Sequence, residues 1–280
     1  MGNKKTSAFA IALAFSALGG LLKLLGGYKY GSLAVLTDGV TCVANLISGA
    51  FILYMLHVSL LPPDKDHPYG HRRYIYSGIL SLIIAYSLAA GFNVALLILR
   101  PPGAYTVEGE SALYALLGGA MYGVAVYVAS KTGLAGRSYA GFTASEILES
   151  LISAGSAAAG AYIASALDYL GAVGITLYIF VELYNESKRI HLVLVEWAHP
   201  ALHSRVKRLF EGRGLKVRDL RLRLYEHGLY KGDITVEPRE GIPIDVAELL
   251  ADEAAHEAKT TLDVELVVRL VGSRREEISS

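Results

Sequence analysis

The sequence predicts an all-α, six-helix transmembrane domain followed by a small α+β domain of αββαβ order, and three observations predict it. Of its 280 residues, 53% are hydrophobic and 19% charged, where a soluble domain carries roughly 25% charge. Mean hydropathy is +0.40. The apolar excess is uneven: residues 6–187 are mostly apolar, while 200–280 hold most of the Arg, Glu and Asp. The apolar part also divides into helix-length runs, whereas the polar part alternates in short stretches.

A hydrocarbon core about 30 Å thick needs roughly 20 residues of helix. Runs of that kind lie at 6–28, 31–60, 74–99, 109–130, 140–166 and 168–187, with breakers at Gly26-Gly27, Pro62-Pro63, Pro101-Pro102-Gly103 and Gly133. The last two meet at Asp168, which implies a tight helical hairpin. The first run follows Lys4 and Lys5 without a clear cleavage site and reads as a retained helix. With the N-terminus inside, the inner loops collect Lys4, Lys5, Lys65, Arg72, Arg73, Lys131, Arg137, Lys188 and Arg189, and the outer ones Lys29 and Arg100. That imbalance puts both termini in the cytoplasm, of the inner membrane if the source is prokaryotic. The expected division is 1–190 membrane domain, 191–272 cytoplasmic domain and 273–280 disordered end.

In the polar part, 201–212 is expected as helix. Leu220, Leu222 and Leu224 alternate with arginines as a half-buried strand, 233–237 alternates again, and Gly228-Leu229 marks the hairpin between them. Residues 244–259 have helical spacing, and 262–268 alternate once more. The order is a small sheet with helices on one face, ferredoxin-like or metallochaperone-like.

Composition also excludes. A single cysteine, Cys42, rules out an internal disulfide framework and a cysteine-based zinc knuckle. A formal net charge of zero gives no sign of nucleic acid. No Ser–His pair or His-Glu-x-x-His motif accompanies the acids, so an enzyme is not expected, nor any cofactor.

Chemistry concentrates in two polar stripes inside apolar runs. Asp38, Thr41 and Asn45 share one helix face at i, i+3, i+7, and Glu146, Glu149 and Ser153 repeat the arrangement. Each ionised acid near the bilayer centre costs about 2.5–3.5 kcal/mol, so three cost roughly 7–10. That rivals the roughly 5–15 kcal/mol stability of a whole domain. Protonating a carboxyl of ordinary pKa near 4 at pH 7 costs about 4 kcal/mol, so neutralisation is no cheaper. A water-filled cavity or a bound cation is the simplest compensation. Thr, Asn and Ser also serve as packing and interhelical hydrogen-bond groups, and Glu146, near the start of its run, has solvation as its alternative. Lys23 is expected either to snorkel or to pair with an intramembrane acid, with pairing favoured.

Six runs, an αββαβ tail, and Asp64, His67 and His71 after the second run resemble the cation diffusion facilitator (cation efflux) family. Segments 31–40 (GSLAVLTDGV), 66–71 (DHPYGH) and 22–27 (LKLLGG) are similar to its second span, its following loop and its first span. The resemblance implies a homodimer that exports divalent cations, usually against protons. It maps the four family ligands onto Thr41, Asn45, Glu149 and Ser153, only one of them an acid, with Asp38 and Glu146 one turn earlier. Such oxygen donors suit Mg²⁺, Mn²⁺ or Fe²⁺ better than a His- and Cys-rich zinc site, although Zn²⁺ and Co²⁺ stay open. Asp64, His67 and His71 match a loop metal site, with a turn at 67–70 as the structural alternative. In the tail, Arg218, Thr235, Glu248, Val267 and Arg269 replace the ligands, and His203, His227 and His256 fall elsewhere. That implies a dimerisation module without a metal switch. The alternative function is a non-transporting member that kept the fold and acts as an interaction partner.

Overall fold

The computed structural model describes residues 2–131, 143–226 and 228–272. Helix follows the apolar pattern closely. Helices α1 (Gly2–Lys29), α2 (Leu33–Ser59), α3 (Tyr74–Leu99), α4 (Glu110–Ser130), α5 (Ser145–Tyr162) and α6 (Ser165–Leu194) occupy the first two-thirds of the chain. Five of them, all but α5, are long and apolar enough to cross a membrane. The 18 residues of α5 make about 27 Å of helix, and Glu146, Glu149 and a series of serines lower their hydropathy. The start of the run expected at 140, Gly133, Arg137 and the disordered end lie outside the described residues. α1 runs straight through Gly26 and Gly27, because these glycines admit Tyr114 of α4 and Leu36 of α2.

α2 is the central helix: residues 33 through 39 are all buried. It packs against α1, α3 and α5, while α4 packs against α1 and α5. Ile175 and Ile179 of α6 join Ala44 of α2 and Leu82, Tyr86 and Ala90 of α3 in one buried cluster. Gly39 sets the α1–α2 distance, since a Cβ there would lie 2.8 Å from the Leu24 amide nitrogen. Outward faces carry large exposed apolar side chains such as Ile47, Ile84, Leu88 and Phe92. Such contiguous apolar surface is stable in lipid rather than water.

The chain divides into two compact units, 1–187 and 188–280. The second contains α7 (Pro200–Glu211), β1 (Leu215–Glu226), β2 (Leu229–Pro238), α8 (Ile244–Leu262) and β3 (Val264–Leu270). The sheet order is β1-β2-β3, antiparallel then parallel. A parallel neighbour requires a crossover, which α8 supplies. Its Ala247, Ala251, Ala254 and Ala258 lie on Val206, Phe210, Ile234, Val236 and Val264. β3 begins two residues later than its alternation suggests, because Asp263 ends α8 in the left-handed region at φ 54. Helix α7 starts on His199, whose ring accepts a hydrogen bond from the Ala201 amide at 3.1 Å. Of the tail positions, Arg218 is ion-paired with Glu237 and Val267 is exposed. His227 lies outside the described residues.

Candidate metal centre

The two stripes meet, and a lysine lies between them. Lys23 of α1 is fully buried. Its Nζ donates to Asp38 Oδ1 of α2 at 2.8 Å and lies 3.5 Å from Glu146 Oε2 of α5. It also lies 3.2 Å from Cys42 Sγ. The thiol donates to Glu146 Oε2 at 2.8 Å. Asn45 donates its amide N–H to Glu146 Oε1 and accepts from the Tyr86 hydroxyl of α3 at 2.7 Å. Ser153 of α5 donates to Asp38 Oδ2 at 2.6 Å. Four helices therefore contribute to one fully buried polar network. One ligand atom each from Asp38, Cys42 and Glu146 lies within 4.8 Å of the others, close enough to share an ion.

Several expectations change here. Glu146 is not solvated at the start of its helix; it is fully buried. Lys23 pairs with intramembrane acids, as its place in an apolar run suggests, and its single charge offsets part of that of Asp38 and Glu146. The four positions mapped by resemblance are all buried, and their polar atoms have different partners. Thr41 turns its hydroxyl back to the Thr37 carbonyl at 3.0 Å, as β-hydroxyl residues in membrane helices often do. Glu149 is buried with neither carboxylate oxygen hydrogen-bonded. An ionised acid in that state is expensive, and either a proton or a bound cation relieves it. Composition missed Cys42 and Tyr86, which read as apolar filling. The signal for Cys42 was its place at i+4 from Asp38, on the same face.

Asp168 lies where the last two helices meet, in the first turn of α6, and it is fully buried. Its carboxylate accepts from the Ser32 hydroxyl at 2.6 Å and the Leu33 amide at 2.7 Å, and from the Tyr105 hydroxyl at 3.0 Å. Ser32 in turn accepts from the Val35 amide at 3.1 Å. An acid from α6 thus caps the N-terminus of α2, where free amides and the helix dipole favour negative charge.

The α2–α3 loop brings its three residues together without being helical. Asp64 Oδ1 lies 3.3 Å from His67 Nδ1, and Asp64 Oδ2 lies 3.3 Å from His71 Nε2. The turn at 67–70 is present as well, closed by Gly70 N–H to the His67 carbonyl at 2.9 Å, with Gly70 at φ 81. His71 Nδ1 faces the Pro62 carbonyl at 3.1 Å. A carbonyl on one ring nitrogen orients the other as a ligand. The Asp64 carboxyl is held below the usual carboxylate range, first by the His67 amide and further by both imidazoles.

A groove of about 1320 Å³ along α2 and α3 contains none of these groups; it is lined by side chains such as Leu24, Val40, Ile47 and Ile84. The chemistry lies in the packed network instead.

Residues 9–195, more than half of the chain, match the model of the cation efflux transmembrane domain. The chain belongs to the cation efflux family. That membership places it among integral membrane transport proteins rather than enzymes. An uncharacterized transporter of Methanocaldococcus jannaschii is 30% identical over 70 residues, 24% of this chain and 25% of that protein. The manganese efflux system protein MneS of Bacillus subtilis is 36% identical over 70 residues, 25% of this chain and 24% of its own. Metal tolerance protein C1 of Arabidopsis thaliana is 36% identical over 73 residues, 26% of this chain and 15% of its own. The matched stretches thus span a quarter or less of these curated relatives.

Proposed function

We propose that this cation efflux protein exports a divalent metal cation from the cytoplasm by proton antiport, as a homodimer with both termini cytoplasmic. The observation that carries the reading is the convergence of Asp38 and Glu146, from two different helices, on one buried cation. Asn45 and Ser153 hold those carboxylates, and Glu149 is a third buried acid without a hydrogen-bond partner. Thr41 joins only if its hydroxyl leaves the Thr37 carbonyl. The donors are mostly hard oxygens, with the Cys42 thiol as the one softer atom, so Mn²⁺, Fe²⁺ and Mg²⁺ fit better than Zn²⁺. One relative is named for manganese efflux, which makes Mn²⁺ the first ion to test. Carboxylates that bind a metal release or exclude protons, which supplies the basis for antiport. Asp64, His67 and His71 form a second, loop-borne metal site in this reading, and 191–272 the dimerisation module.

Proteoliposomes carrying the protein are expected to take up Mn²⁺ in response to a pH gradient, and Asp38→Ala and Glu146→Gln to abolish that uptake. No flux of Mn²⁺, Fe²⁺, Mg²⁺, Co²⁺ or Zn²⁺ at any gradient would overturn the proposal. One observation favours a second reading: Lys23 already fills the space between the acids, as it would in a non-transporting partner subunit. Absence of flux together with copurification of a second family member would select that alternative.

A further inference from the structure

Lys23 touches the same three residues that form the candidate ion site. Its Nζ lies 2.8 Å from Asp38 Oδ1, 3.5 Å from Glu146 Oε2 and 3.2 Å from Cys42 Sγ. Those three residues are also the buried group whose ligand atoms lie within 4.8 Å of one another. A divalent ion seated among them, with oxygens at about 2.0–2.6 Å, would meet the ammonium at close range. Two cations cannot share that space. The lysine stem is also provided for: a Cβ at Gly118 of α4 would lie 2.7 Å from Lys23 Cγ, so glycine there leaves the channel the stem occupies. The Tyr122 ring centroid is 4.8 Å from Nζ, a favourable surface for an ammonium.

We infer that Lys23 is a tethered cation that occupies the transport site between ions, so that metal and ammonium alternate on Asp38 and Glu146. The inference rests on the transport reading above. Binding of a divalent ion displaces the ammonium, which a flexible four-carbon stem permits. Release lets the ammonium close back on the two acids. The empty carrier then returns with those two acids paired, which leaves the unpartnered Glu149 as the carboxylate that takes the exchanged proton, and Lys23 acts as a positioning residue for the return step and as an intrinsic competitor for the ion.

The test compares wild-type protein with Lys23→Met in proteoliposomes, using Mn²⁺ alone. Removing the competitor is expected to tighten Mn²⁺ binding by on the order of tenfold. Net uptake into Mn²⁺-free vesicles is expected to slow, because the empty carrier must return with unpaired acids. Exchange with Mn²⁺ on both sides is expected to persist. Binding no tighter than wild type, or equal loss of net uptake and exchange, overturns the inference while leaving the transport reading intact. A wild-type protein that carries none of Mn²⁺, Fe²⁺, Mg²⁺, Co²⁺ and Zn²⁺ overturns both. Should Lys23→Met fail to fold, amine-reactive labelling of wild-type Lys23, read by mass spectrometry, takes its place. Labelling is expected to rise when Mn²⁺ is added, and unchanged labelling counts against displacement.

Discussion

At the residue scale, the decisive fact is that Asp38 and Lys23 are each fully buried and matched. Removing Asp38 takes away the shorter ion pair of the buried ammonium and leaves it Glu146 alone, at 3.5 Å. Asp38→Ala is therefore expected to cost about 1.5–3 kcal/mol, read as lost thermal stability of the detergent-solubilised protein, with Asp38→Asn losing less. Gly118 is constrained from the other side. A methyl there would press on the Lys23 stem at 2.7 Å and on the Gly19 carbonyl at 2.8 Å. Gly118→Ala is expected to destabilise by about 1–3 kcal/mol through overpacking, measured in the same unfolding assay. These residues differ in how far the sequence betrays them. Asp38, Glu146 and Lys23 stand out because a charge inside an apolar run needs a reason. Cys42 and Tyr86 do not, since a thiol and a phenol are ordinary core residues until a carboxylate or amide is found beside them.

At the scale of elements, α2 is fixed at its start by a residue 136 positions away, Asp168. Asp168→Ala is expected to cost about 1–3 kcal/mol and to raise hydrogen exchange at the Leu33 and Ala34 amides. A change elsewhere in α6 would leave those amides protected. No sequence rule foretells this cap: Asp168 stands at the start of its own apolar run, where an acid reads as serving its own helix. The α2–α3 loop was more legible, because Asp64, His67 and His71 are ligand types at short spacing, although its turns rather than a helix bring them together. Its order depends on pH with a definite sign. Asp64 has its pKa lowered in the folded loop, so its contribution is fully present above the unfolded carboxylate value, near 3.9. It is lost as pH falls through the lower folded value. Protection of the Asp66 and His67 amides, taken relative to the unstructured exchange rate at each pH, is expected to hold from pH 6 downwards until that acid range and then to fall. Asp64→Ala should show fast exchange throughout.

At the scale of the whole molecule, two kinds of pattern encode two units. Long apolar runs marked α2, α3 and α4 closely, whereas α6 runs past 187 to Leu194 and α5 stops short of 166 at Tyr162; period-2 alternation marked the strands of the second unit. The sheet's ends were less legible, because β1 and β2 are prolonged by cross-strand pairs such as Leu215 with Pro238 and Leu224 with Tyr230. Each unit has its own buried clusters, so each is expected to unfold as a cooperative body. Phe210 is fully buried in the second. Phe210→Ala is expected to cost about 3–5 kcal/mol and to lower only one of two calorimetric transitions. A shift of both by the same amount would show a single cooperative body instead. Glu237 adds a pH signature to that transition. The Arg218 guanidinium holds its carboxyl below the usual range, so the contribution persists above the ordinary Glu value and fades as pH drops through the depressed one.

The chain's single cysteine, Cys42, packs directly against the Lys23 ammonium and Glu146. Any thiol reagent that tags the unmodified protein has reached this buried network itself. Under the proposed transport cycle, alkylation rates from either side of the bilayer would therefore clock inward and outward opening, with no engineered reporter.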